Sequence, residues 1–180
     1  MSRIELLSRE NATGASRQLL EQVQAAFGAT PNMFRAVANS PAALSSMWAA
    51  FGALHGGTLG AKLGEQIAVA IADVNRCEYC LAAHTALGRK AGASAAEMSA
   101  AQAGQADEPK TAAALRFATA VVRERAQIGA ADVDALRQAG FGDGEIMEIM
   151  AHVALNLFTN YVNVAFDVPV DFPRVKLGAQ

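Results

Sequence analysis

The chain lacks most of what would place it outside the class of cytosolic helical proteins. With two cysteines in 180 residues, a disulfide framework is excluded. A structural zinc site wants four ligands, and beyond Cys77, Cys80 and His84 the chain offers only His55 and His152, so neither a metal nor a cofactor is expected. Charged residues make up 18%, the net charge is -2, and basic residues alternate with acidic ones, as at Arg123, Glu124 and Arg125. Without a dense positive patch, nucleic acid is not an expected partner. No segment alternates Val, Ile and Thr as a strand would. The polar start at Met1 to Glu5 has no positive head leading into an apolar run, so no signal peptide is expected. The longest apolar stretches, Ile67 to Ala72 and Val162 to Phe166, fall well short of the roughly 18 residues of a membrane span. A cytoplasmic location follows as the expectation, with no membrane partner and with thiols kept reduced.

What is abundant is helix former. Residues of the AVILMFWYC set reach 52%, and Leu, Ala, Met, Glu and Gln fill the periodic segments, so the expected class is all-α, a single domain over 1–180. Breaks fall at Gly28–Pro31, Asn39–Pro41, Gly56–Gly60, Gly92–Ser94, Gly104–Pro109, Ile128–Ala130 and Gly140–Gly144, which divide the chain into eight or nine helices. Ser40 before Pro41 reads as a cap, since proline loses nothing in a first turn. Ser94 with Glu97 reads as a capping box. Asp143 is the expected cap of a last helix from about Gly144 to Phe166. The abundance of alanine favours helices packed close together in a bundle.

Within this background one helix carries chemistry. Cys77, Cys80 and His84 are spaced by three and four residues, which places them within roughly a 60° arc of a helix. If the helix begins near Asn75, both cysteines lie in its first turn, where unsatisfied N–H groups favour thiolate. His84 can carry a proton near neutral pH, and one cysteine can close a disulfide onto the oxidised other. Glu65, among Ile67, Val69 and Ile71 on the preceding helix, is a candidate proton acceptor for the thiol–histidine system if it turns inward. Two inert buried cysteines, or a metal pair, are the plainer readings. Tyr79 lies off the cysteine face and reads as packing, beside the pocket rather than as a reacting group. His55, before Gly56 and Gly57, reads as a helix-end residue without catalytic role.

Glu65, eleven residues, then Cys77-x-x-Cys80-x-x-x-His84 resembles the pattern of the alkyl hydroperoxidase AhpD and carboxymuconolactone decarboxylase family. Thr30 to Arg35, and Asn160 to Asn163 with Val170 to Pro173, are similar to segments of its peroxidase-related branch. The resemblance implies an all-helical fold assembled as trimers or hexamers with the site near a subunit interface. It implies reduction of a hydroperoxide substrate by the cysteine pair, whose re-reduction falls to a dithiol donor of unknown identity. By the same resemblance Cys80 is the more directly activated cysteine, Cys77 its disulfide partner, and His84 with Glu65 the proton relay. The chain departs from the best-known AhpD pattern at Tyr79, where a histidine stands. A phenol with a pKa of about 10 does not carry protons at neutral pH as an imidazole does. The alternatives are a decarboxylase-like lyase, which needs no cysteine pair, and a redox-responsive oligomeric binding protein.

The last helix has a second pattern. His152, Asn156, Asn160, Asn163 and Asp167 fall within roughly an 80° sector of an otherwise apolar helix. This is either a solvent face or, because it holds amides and a histidine without lysine or glutamate, a pocket wall or interface. In the second reading Asn156 and Asn160 line the pocket, and His152 approaches the cysteines and supplies the base that Tyr79 does not.

Overall fold

The computed structural model describes residues 2–179, and among these it forms nine helices and no strand. They are α1 (Gly14–Phe27), α2 (Asn32–Val37), α3 (Pro41–His55), α4 (Ala61–Val74), α5 (Glu78–Lys90), α6 (Ala95–Gln102), α7 (Pro109–Arg123), α8 (Ala130–Gln138) and α9 (Asp143–Ala165). The glycine and proline breaks fall where the composition placed them. Ser40 accepts from the Ala43 N–H, and Ser94 and Glu97 form the reciprocal capping box. Among the described residues, no helix is long and apolar enough to cross a membrane.

α4 is the centre of the fold. Every residue from Gln66 to Ala72 is buried, so this helix is covered on all sides, as an apolar segment with so little polar surface must be. It packs on α5, α6, α7 and α9, and thereby holds the cysteine helix and the last helix against one another. Small residues set the distances. A Cβ on Gly64 would lie 2.9 Å from His152 Cε1, so the absent side chain is what lets the α9 imidazole rest on α4.

Two expectations about helix ends need correction. α9 starts at Asp143, and its first turn is closed by Glu145, whose carboxylate accepts from the Gly142 N–H at 2.8 Å. Asp143 instead pairs with Arg137 across the α8–α9 turn. The cysteine helix begins at Glu78 rather than near Asn75. α4 ends in a 6→1 and 5→2 pair of bonds, Cys77 N–H to Ala72 O at 2.9 Å and Arg76 N–H to Asp73 O at 3.1 Å. That closure requires a left-handed residue, normally glycine, and here Arg76 adopts φ 57°.

After α9 the chain runs back without regular structure along the mouth of the cysteine helix. Asp171 accepts from the Asn32 N–H, Phe172 meets Tyr79 edge-on at 5.7 Å, and the Gly178 carbonyl accepts from Arg76.

Candidate active site

Closing α4 at Arg76 puts Cys77 at the N-cap of α5 and Cys80 at its third residue. An N-cap side chain accepts from the free N–H groups of the first turn. Here the acceptor is sulfur, with the Cys80 N–H donating to Cys77 Sγ at 3.2 Å. Both thiols are free and buried. Hydrogen bonding from the Cys80 thiol, helped by its backbone N–H, draws the Cys77 pKa below that of an ordinary cysteine although burial opposes it. Burial first, and then the hydrogen bond and charge of Cys77, push Cys80 well up. Of the two, Cys77 is therefore the readier to ionise, and Cys80 holds its proton the more firmly.

The other members assemble around Cys80. His84, one turn further along α5, pairs through Nδ1 with Glu65 Oε2 of α4 at 2.7 Å. A carboxylate at Nδ1 selects the tautomer protonated there and leaves Nε2 as the acceptor. Asn163 of α9 donates from Nδ2 to Cys80 Sγ at 3.2 Å. Cys80 and His84 share the wall of a cavity of about 40 Å³, which has room for a few water-sized molecules. Its other walls include Phe34, Phe51, Tyr79 and Phe172, and Cys77 is not among them.

Tyr79 is a structural residue. Its hydroxyl accepts from the Met33 N–H at 3.2 Å, and burial pushes the phenol pKa up, further from proton-transfer use. His152 lies beside the Glu65–His84 pair. Burial lowers its pKa, while the charges of Glu65 and Glu148 oppose that shift. Asn156 donates to the His152 carbonyl, and Asn160 accepts from Asn75 at 3.0 Å. The stripe on α9 is thus buried rather than solvated, with Asn156, Asn160 and Asn163 all inside, but neither they nor His152 are among the residues that line the cavity. Asp167, its expected fifth member, lies past the end of α9, exposed and in a left-handed turn at φ 50°. His55 ends α3 in an exposed position. Among the described residues no cluster of three or more His, Cys, Asp or Glu could hold a metal ion.

Apart from Tyr79, the aromatic walls of the cavity were not singled out from sequence. Phe34, Phe51 and Phe172 come from α2, α3 and the C-terminal segment, so no local period marks them. Cys77 as a sulfur N-cap also went unread, because its signal is the unusual conformation of Arg76.

The charge assignment is directly testable. In single-cysteine variants, thiolate absorbance near 240 nm titrates at lower pH for Cys77 (in Cys80→Ser, where the introduced hydroxyl still donates) than for Cys80 (in Cys77→Ser, where burial remains). The reverse order would overturn the assignment.

Residues 41–124 match the model of the carboxymuconolactone decarboxylase family. No curated protein matches the chain. Among solved structures, a peroxidase-related protein from Ralstonia eutropha JMP134, described as an alkylhydroperoxidase AhpD core, is 28% identical over 94% of this chain and 92% of its own, with a TM-score of 0.85. A peroxidase-related protein from Silicibacter sp. TM1040 is 25% identical over 93% of this chain and 91% of its own, with a TM-score of 0.82. The debrominase Bmp8, as a cysteine-to-alanine variant in complex with 2,3,4-tribromopyrrole, shares the fold at 20% identity over 95% of this chain and 94% of its own, with a TM-score of 0.80.

Proposed function

We propose that the chain, whose residues 41–124 match the carboxymuconolactone decarboxylase family and which is similar to AhpD-like peroxidase-related proteins, is a dithiol oxidoreductase that reduces a hydroperoxide at Cys80 and closes a Cys77–Cys80 disulfide. One observation carries this reading. Cys77, the more acidic thiol, accepts from the backbone N–H of Cys80, whose own sulfur lines the cavity, and that cavity's other reactive wall is a carboxylate-backed imidazole.

The steps balance with the groups present. Cys80 passes its proton to His84, which Glu65 holds as the right tautomer and stabilises when charged. The Cys80 thiolate attacks the terminal oxygen of the hydroperoxide. An S–O bond forms, the O–O bond breaks, sulfur gives up two electrons, and the alkoxide leaves as an alcohol with the proton from His84. Cys77 thiolate then displaces hydroxide from the Cys80 sulfenic acid, and the hydroxide takes a proton from solvent to become water. An external dithiol returns two electrons and two protons to the disulfide. This cycle suits a reducing compartment such as the cytoplasm.

The test supplies the purified protein with a dithiol and an organic hydroperoxide and follows loss of both. Catalytic consumption that stops when the thiols are alkylated supports the proposal. A lyase activity on a lactone that survives alkylation, with no hydroperoxide consumed, would replace it by the decarboxylase-like reading.

We also propose that the chain forms a homo-oligomer, a trimer or a hexamer. The C-terminal half of α9 points its asparagines inward, and the helix leaves Met147 66%, Tyr161 60% and Val164 47% exposed, an apolar outer face that a monomer's surface helix does not usually show. Light scattering that finds only monomers at micromolar concentration would remove this proposal, and a mass that changes with reductant while no hydroperoxide is consumed would point to a redox-responsive assembly.

A further inference from the structure

Asn160 is fully buried, and its Oδ1 accepts from Asn75 Nδ2. That bond fixes how the amide faces and leaves Asn160 Nδ2 buried without a partner. One turn along α9, Asn163 gives Nδ2 to Cys80 Sγ and keeps a buried, unpaired Oδ1. Such unpaired groups are uncommon in folded proteins and call for an explanation. Asn163 holds the Cys80 sulfur directly, and Asn160 is near enough that its amide, like that of Asn163, favours the ionised form of Cys80.

We propose that Asn160 and Asn163 form a cradle that receives first the negative charge and then the oxygen that appear on Cys80 during turnover. The proposal rests on the reading of Cys80 as the sulfur that meets the oxidant. A neutral thiol is a weak acceptor, and one amide satisfies it. A thiolate accepts more strongly and can take the second N–H, the one Asn160 holds free. When that thiolate takes the terminal hydroperoxide oxygen, with two electrons leaving sulfur and the alcohol departing with the His84 proton, the new sulfenic oxygen accepts from the Asn160 amide. Its O–H has the Asn163 Oδ1 as acceptor. The titratable groups around Cys80 are Cys77, Tyr79 and the Glu65–His84 pair, whereas the cradle is neutral and its donors do not change with pH.

The experiment uses the full chain with Cys77→Ser, so that Cys80 is the sole thiol. Added Asn163→Ala or Asn160→Ala raises the Cys80 pKa, read by thiolate absorbance, by about one unit. Asn163→Asp, of equal size but with its donor replaced by negative charge, raises it further. Each variant also slows the single-turnover oxidation of Cys80 by hydroperoxide about tenfold at fixed pH, as expected for a tenfold smaller thiolate fraction. If alanine unfolds the chain, Asn160→Asp and Asn163→Asp keep the side-chain volume and give the same readout. An unchanged Cys80 pKa in the folded variants overturns the cradle, whatever the hydroperoxide activity. A raised pKa in a chain whose Cys80 never reacts with hydroperoxide sustains the cradle and removes the peroxidase reading instead.

Discussion

Cys80→Ser abolishes hydroperoxide turnover and leaves the fold in place. The hydroxyl is close to the thiol in size, can accept from Asn163 as the sulfur does, and leaves the backbone N–H of residue 80 donating to Cys77. It does not ionise usefully at neutral pH and cannot form a disulfide, so the rate falls to background, a loss of roughly a thousandfold or more. Cys77→Ser gives a different result. There Cys80 still meets the oxidant and reacts once, and the cycle stalls as a sulfenic acid with no partner to close on. A burst of about one equivalent of alcohol per chain, absent in Cys80→Ser, separates the two roles. The opposite pattern, a burst in Cys80→Ser only, would make Cys77 the attacking sulfur and leave the cavity beside Cys80 without a task.

That contrast of roles could not be read from the order of residues, and the reason is local. Helix breaks at glycine and proline announce themselves, as do the caps at Ser40 and Ser94, because each is a property of one or two side chains. The spacing of Cys77, Cys80 and His84 is legible for the same reason. Whether Cys77 stands inside the helix or caps it depends on Arg76, which takes a left-handed conformation that arginine gives no sign of. The cap position, with the deeper burial of Cys80, is what makes two similar thiols unequal in acidity. α9 hides its role by a different route. Amphipathic helices normally put amides outside, and only the burial of Asn156, Asn160 and Asn163 beneath an outer face carrying Tyr161 and Val164 shows that the C-terminal half of this one is inverted. The pairing of Glu65 with His84 joins neighbouring helices, and periodicity in each supports it only loosely.

Glu65→Gln lowers turnover by between about tenfold and ten-thousandfold, the span that general acid–base assistance usually covers. The substitution preserves side-chain shape and an oxygen that accepts from His84 Nδ1, so the imidazole keeps its place and the fold is unchanged. What disappears is the negative charge that stabilises the imidazolium formed when Cys80 gives up its proton. The loss therefore appears in the oxidation of Cys80, measured in a single turnover before any reductant is added. The pH at which Cys77 ionises stays as it was, because its lowered pKa comes from hydrogen bonds from Cys80 and not from the relay. An undiminished single-turnover rate would mean that the Cys80 proton leaves by another route. The neighbouring group of lowered pKa is Cys77, which as a thiolate would then be both the base in the first step and the nucleophile in the second, with Glu65 and His84 reduced to joining α4 to α5.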